Sequence, residues 1–214
     1  MICTRYAGMH ETAMLTKLNM ETRPYHCDLD GPWLELVVPH VSRHQYVEQL
    51  SRVLGFESAV EAALAYTPGF AGSIKLRDWA RSSFIAKDLM ALGMPAGGVA
   101  QLPQCSIEPF ANSNEALGWM FVLERATLLH DGLRWHIEER VQRSPYVCSY
   151  LAANEGKDVT RWNEFGEILE RAAQQQPQAA DEMVRAARHA CRRACEWYQQ
   201  REQALRSVDE YART

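Results

Sequence analysis

Apolar residues recur at three- and four-residue steps along nearly the whole chain, the spacing of helices that bury one face. Sustained period-two alternation is missing. The one strand-like candidate is the short apolar run 34–38, with Val37 and Val38 as its β-branched pair and Pro39 as its stop. The pattern predicts an all-α protein. A first helix is expected over residues 11–29, with Leu15, Leu18, Thr22, His26 and Leu29 on one stripe, so that His26 faces the interior or a pocket. Pro24 lies inside that helix. It has no backbone donor and is expected to bend or break the helix just before His26.

Further helices are expected over 41–54, stopping near Gly55, over 57–66, closed by Pro68-Gly69, and over 76–92, with Gly93 as a C-terminal cap. Residues 94–109 are rich in Gly and Pro and read as a loop rather than a linker between domains. A long helix over 114–142 follows, capped by Asn112 or Ser113 and ended by Ser144-Pro145. Segments 146–153, 161–174 and 179–211 complete the set, with 174–178 as an interhelical turn. No internal repeat is present.

Composition narrows the class. With 214 residues, 47% hydrophobic and 23% charged, the chain can bury one sizeable core, and a single domain over 1–214 is expected. A net charge of −4 gives no sign of broad affinity for nucleic acid, and none is expected as a partner. No apolar run is long enough to span a bilayer, and the N-terminal residues lack an apolar signal core. Neither a membrane nor export is expected, and the location is expected to be cytoplasmic. Six scattered cysteines without CxxC or CxxCH give no disulfide framework and no covalent heme attachment. Cys191 and Cys195, four apart, read as small apolar residues in a helix interface.

The candidate chemistry centres on Thr22-Arg23-x-x-His26. A lone helical histidine is more often a surface or satisfied core residue than a metal ligand. Lys17, Asn19 and Arg23 lie near it in sequence, either as donors to an anionic ligand or as an ordinary polar face. Arg185, Arg188, Arg192 and Arg193 read as a solvated basic face, and Trp162 and Phe165 as core. No Ser-His-Asp set, phosphate loop or paired-carboxylate spacing stands out. No Glu-x-x-His occurs, so a di-iron site of the helical-bundle type ranks last.

Several segments resemble the bacterial, biliverdin-forming heme oxygenases. Thr22-Arg23-Pro24-Tyr25-His26 resembles their proximal-helix motif. Leu54-Gly55-Phe56 with Glu61 and Leu64, Lys87-Asp88-Leu89 with Leu92-Gly93, and Leu102-Pro103 resemble the following blocks. Ala116-Leu117-Gly118 and Phe121-Val122-Leu123-Glu124 resemble the distal-helix entry, and Tyr150, Trp162 and Phe165 match later aromatic positions. The resemblance runs in order over nearly the whole chain and is more specific for the fold than for the reaction.

It implies a heme oxygenase-like multi-helix bundle in which heme b is both cofactor and substrate. His26 would ligate the heme iron. Thr22, Asn19, Arg23, Arg125 and Leu129 would border the heme. An external electron donor would be a partner, and the products would be biliverdin, iron and carbon monoxide. The distal helix departs from that pattern. It reads Glu124-Arg125-Ala126-Thr127-Leu128-Leu129-His130, with Arg125 at the first expected glycine and Leu129-His130 at the expected glycine pair. Glycine lets backbone approach a ligand closely; on a helix in the family position, Arg125 and Leu129 would project into that space instead. Arg125 is either salt-bridged, to Glu124 or Asp131, or a distal donor to dioxygen or a propionate clamp. His130 reads as an exposed helix residue, with a sixth iron ligand as the sharper alternative. Three functions follow: oxidative heme cleavage, heme binding or sensing without turnover, and use of the fold for another small molecule.

Overall fold

A computed structural model describes residues 10–70, 74–141 and 148–211, with side chains up to residue 200. The described residues contain helices and turns and no strand. The helices are α1 (Ala13–Thr22), α2 (His26–Leu34), α3 (Arg43–Tyr66), α4 (Ser82–Ala91), α5 (Ala96–Ala100), α6 (Ser113–Ala126), α7 (His130–Arg140), α8 (Asp158–Gln175) and α9 (Ala179–Tyr211). The all-α expectation holds. Four sequence expectations fall wholly or partly outside the described residues: the N-terminal segment with Cys3, the end of the 114–142 helix at Gln142, its Ser144-Pro145 stop, and the start of 146–153.

The expected first helix divides at Pro24 into α1, a 3₁₀ turn over Arg23–Tyr25, and α2. Without the Pro24 N–H the i→i−4 ladder cannot continue, and the chain restarts at His26. The second half runs past the expected end at 29 to Leu34 and so absorbs the first residue of the strand-like run; residues 35–36 turn behind it. Pro32 is tolerated inside this short helix.

The expected break at Gly55 does not occur: α3 passes straight through it. The glycine answers to packing, not to a turn. A Cβ there would lie 2.4 Å from Pro103 O and 2.6 Å from Trp197 Cζ2, so the glycine admits two neighbours at once. α3 starts from a reciprocal capping box between Ser42 and Gln45. The 76–92 helix is replaced by a 3₁₀ turn over Leu76–Asp78 and then α4, and Gly93 does cap it, at φ +87°. The 94–109 loop contains the short α5.

The long 114–142 helix is broken by a 3₁₀ turn over Thr127–Leu129 into α6 and α7. Asn112 caps α6 through its side chain, as expected. Residues 149–157 are a run of turns rather than a helix.

Two apolar clusters form the core. The larger joins α1, α6, α8 and α9 around Leu15, Phe121, Phe165 and Met183. The second joins the end of α2 with α3, α4, α7 and the 148–151 segment around Trp33, Tyr46, Leu89 and Tyr150. α6 packs more extensively against α9 than any other helix pair. Gly118 permits that approach: a Cβ there would lie 2.4 Å from Met183 O. Trp162, Phe165, Cys191 and Cys195 are buried as expected, both cysteines as free thiols. No described helix is long and apolar enough to cross a membrane.

Candidate functional site

His26 begins α2, one residue beyond the proline turn. The stripe that carries it is real: Leu15, Leu18, Thr22 and Leu29 are buried, and His26 itself is half-buried. Thr22 Oγ1 donates back to Leu18 O at 2.7 Å and lies 3.0 Å from His26 Nε2. A hydroxyl has one proton. With that proton on Leu18 O, His26 Nε2–H donates to Thr22 and Nδ1 keeps its lone pair. Burial lowers the His26 pKa, the Arg125 charge lowers it further, Asp30 opposes, and Arg23 adds a smaller depression. The imidazole is therefore neutral at neutral pH, the form that ligates metals.

Arg125 occupies the last turn of α6, where a cation suits the helix dipole. Its guanidinium reaches across to α2 and pairs in fork geometry with Asp30: Nη1 to Oδ1 at 2.8 Å and Nη2 to Oδ2 at 2.6 Å. The two side chains are 13% and 18% exposed, so the pair is largely shielded. This corrects the expected partners, Glu124 and Asp131. Asp30 follows His26 by one helical turn and was missed in the sequence; the i+4 spacing was its only signal. Burial holds the thiol of Cys191, on α9, up at about 12, unreactive.

The 3₁₀ turn after α6 redirects the residues that follow. Thr127 Oγ1 donates to Glu124 O at 2.7 Å. Leu129 packs against the second core cluster. His130, expected to be exposed, is 1% exposed, and neither ring nitrogen has a hydrogen-bond partner. Its ring lies 4.6 Å from that of Tyr150 and 6.3 Å from that of Trp33. Burial and then the charge of Arg81 press its pKa well below 6.5, so it is neutral. Lys17 is spent on Asp181 at 2.8 Å, Arg23 is exposed, and Asn19 is half-buried. Of the α9 arginines, Arg188 pairs with Glu21 and Arg193 with Glu196, in keeping with a solvated face. The structure thus brings together Thr22, His26 and Arg125, the last through Asp30, and leaves Leu129 and Lys17 apart.

Behind Arg125 lies a second polar group. Glu124, 2% exposed, accepts from Arg81 Nη1 at 2.8 Å and from Arg161 Nε at 2.8 Å and Nη2 at 3.1 Å. The two guanidinium groups outweigh the cost of burial and lower the Glu124 pKa. A cavity of about 30 Å³ lies beside it, lined by Glu61, Trp79 and Met120 among others, far below the roughly 300 Å³ of a typical ligand pocket.

Whether these residues suit a heme divides by side. The proximal side fits: a neutral, half-buried imidazole on a helix start. The face that the resemblance would leave open does not, because Arg125 and Asp30 bridge α6 and α2 there. Among the described residues, no group of three or more His, Cys, Asp or Glu could hold a bare metal ion. No protein-family model matches the chain, and a search of curated proteins finds no match.

Proposed function

We propose that this chain is a heme-binding relative of the heme oxygenases that does not cleave heme. His26 is the iron ligand, and the Arg125–Asp30 bridge is a closure that heme must displace to enter. The observation that carries this reading is the bidentate pair itself, which ties the last turn of α6 to α2 one turn beyond His26. A guanidinium held there fills the volume in which the family's glycines leave room for dioxygen. Of the functions open from sequence, binding without turnover agrees best with a neutral His26 and a closed Arg125–Asp30 bridge.

The test is hemin titration of the purified protein followed by reductant. A Soret band that shifts in His26→Ala and persists under ascorbate without biliverdin supports the proposal. Brisk biliverdin formation overturns the absence of cleavage. A wild-type spectrum indistinguishable from that of His26→Ala overturns His26 as the ligand.

A further inference from the structure

The second core cluster contains a polar group that the His26 site does not use. Glu57 of α3 is 2% exposed. Its Oε1 accepts the Tyr150 hydroxyl at 2.5 Å, and its Oε2 has no hydrogen-bond partner. Tyr150 is fully buried and stacks on Trp33 of α2 at 6.1 Å and 18°, with His130 of α7 tilted against it. The backbone on either side is held by another carboxylate: Ser149 N–H and Tyr150 N–H donate to Asp88 at 2.8 and 2.9 Å.

Charge counting says which form Glu57 takes. The charged groups around it are Arg81 at the start of α4, Glu61 on its own helix and Glu124 on α6. Arg161 completes the set through Glu124. Two arginines against Glu124 and Glu61 already balance. The remaining neighbours, Tyr150, Tyr198 of α9 and His130, are neutral, since burial raises both phenols and depresses the imidazole. A negative Glu57 would be one buried charge in excess, with an oxygen unpaired. Its burial moves the carboxyl from 4.5 to about 7.

We infer that Glu57 is a proton-operated latch: the closed packing of Tyr150 and the turns around it against α3 keeps the buried, half-paired carboxyl protonated, and its ionisation favours an opened arrangement in which the carboxylate meets water. Tyr150 touches both Trp33, on the helix that starts with His26, and His130, just beyond the distal turn. Loss of the proton to solvent therefore loosens the packing of α2 and α7 against Tyr150. The latch does not depend on heme and is tested on the protein alone.

The experiment is carbon-13 NMR of the full chain with glutamate side-chain carboxyls labelled, together with hydrogen exchange of the Ser149 and Tyr150 amides. One carboxyl resonance titrates near pH 7 and is missing in Glu57→Gln. After correction for intrinsic exchange, opening of the two amides increases as pH rises from the ordinary carboxylate range toward that midpoint, approaching about tenfold per pH unit, and levels off above it; Glu57→Gln abolishes the increase. Tyr150→Phe keeps the ring but removes a bond that favours the ionised carboxylate, so it moves the midpoint upward; it serves equally if Glu57→Gln fails to fold. A Glu57 midpoint in the ordinary carboxylate range, or amide opening with the same pH dependence in wild type and variants, overturns the inference.

Discussion

Replacing Glu124 by Gln should be among the most damaging conservative substitutions in this protein. The carboxylate is 2% exposed and receives three N–H bonds from two guanidinium groups, and the Arg81 side chain is only 3% exposed. An amide of the same shape can accept on one oxygen only and turns its own donors toward cations. Breaking a buried pair by removing one charge costs about 3–5 kcal/mol, because the partner is left buried and uncompensated. Two facts pull the figure to the low end. Arg161 is 13% exposed, and it keeps its bonds to Asp78 O and Trp79 O and its seat over the Trp79 ring at 4.0 Å.

A loss of about 3 kcal/mol is expected, which for a chain of this size is roughly 6–12 °C in Tm. Urea unfolding with the slope held constant measures it. The pH dependence has a definite sign. The Glu124 pKa is lower in the folded chain, so its contribution is complete above the unfolded value of 4.5 and is lost as pH falls through the folded value. Wild type and Glu124→Gln should therefore converge in acid. A loss under about 1 kcal/mol at pH 7, or a constant gap between the two down to low pH, refutes this reasoning.

Gly118→Ala should force α6 and α9 apart, since its Cβ would meet Met183 O at 2.4 Å and Ala186 Cβ at 2.6 Å; overpacking of this kind costs about 1–3 kcal/mol, read from thermal unfolding. His130→Phe should be neutral or stabilising at pH 7, because it removes two buried nitrogens without partners while keeping a ring against Tyr150. The same variant should flatten the acid limb. The folded pKa of His130 lies below 6.5, so its contribution is complete above 6.5 and is lost as pH falls toward the folded value, and urea midpoints against pH would measure the difference.

The helix class and the proline break before His26 were legible because each rests on local rules: three- and four-residue periodicity, and a missing backbone donor. Asn112 and Gly93 were legible as caps for the same reason. Gly55 misled because glycine in sequence looks the same whether it ends a helix or admits a neighbour; only the approach of Pro103 and Trp197 distinguishes the two. The break at Thr127–Leu129 carried no glycine or proline to announce it. His130 was read as exposed because a polar residue four beyond Ala126 gives no hint that Trp33 and Tyr150, far away in sequence, close over it. The Arg125–Asp30 and Glu57–Tyr150 pairs join residues 95 and 93 positions apart, a separation that no local pattern encodes.

The central claim is that a closed Arg125–Asp30 bridge controls heme access to His26. Hemin affinity of wild type, Arg125→Gly and the double variant with His26→Ala, measured by Soret titration at one pH and salt concentration, tests it most directly. Opening the bridge should tighten binding about tenfold or more, equivalent to roughly 1.4 kcal/mol, and His26→Ala should abolish the gain. Equal affinity in wild type and Arg125→Gly, or a gain that survives loss of His26, would contradict the account.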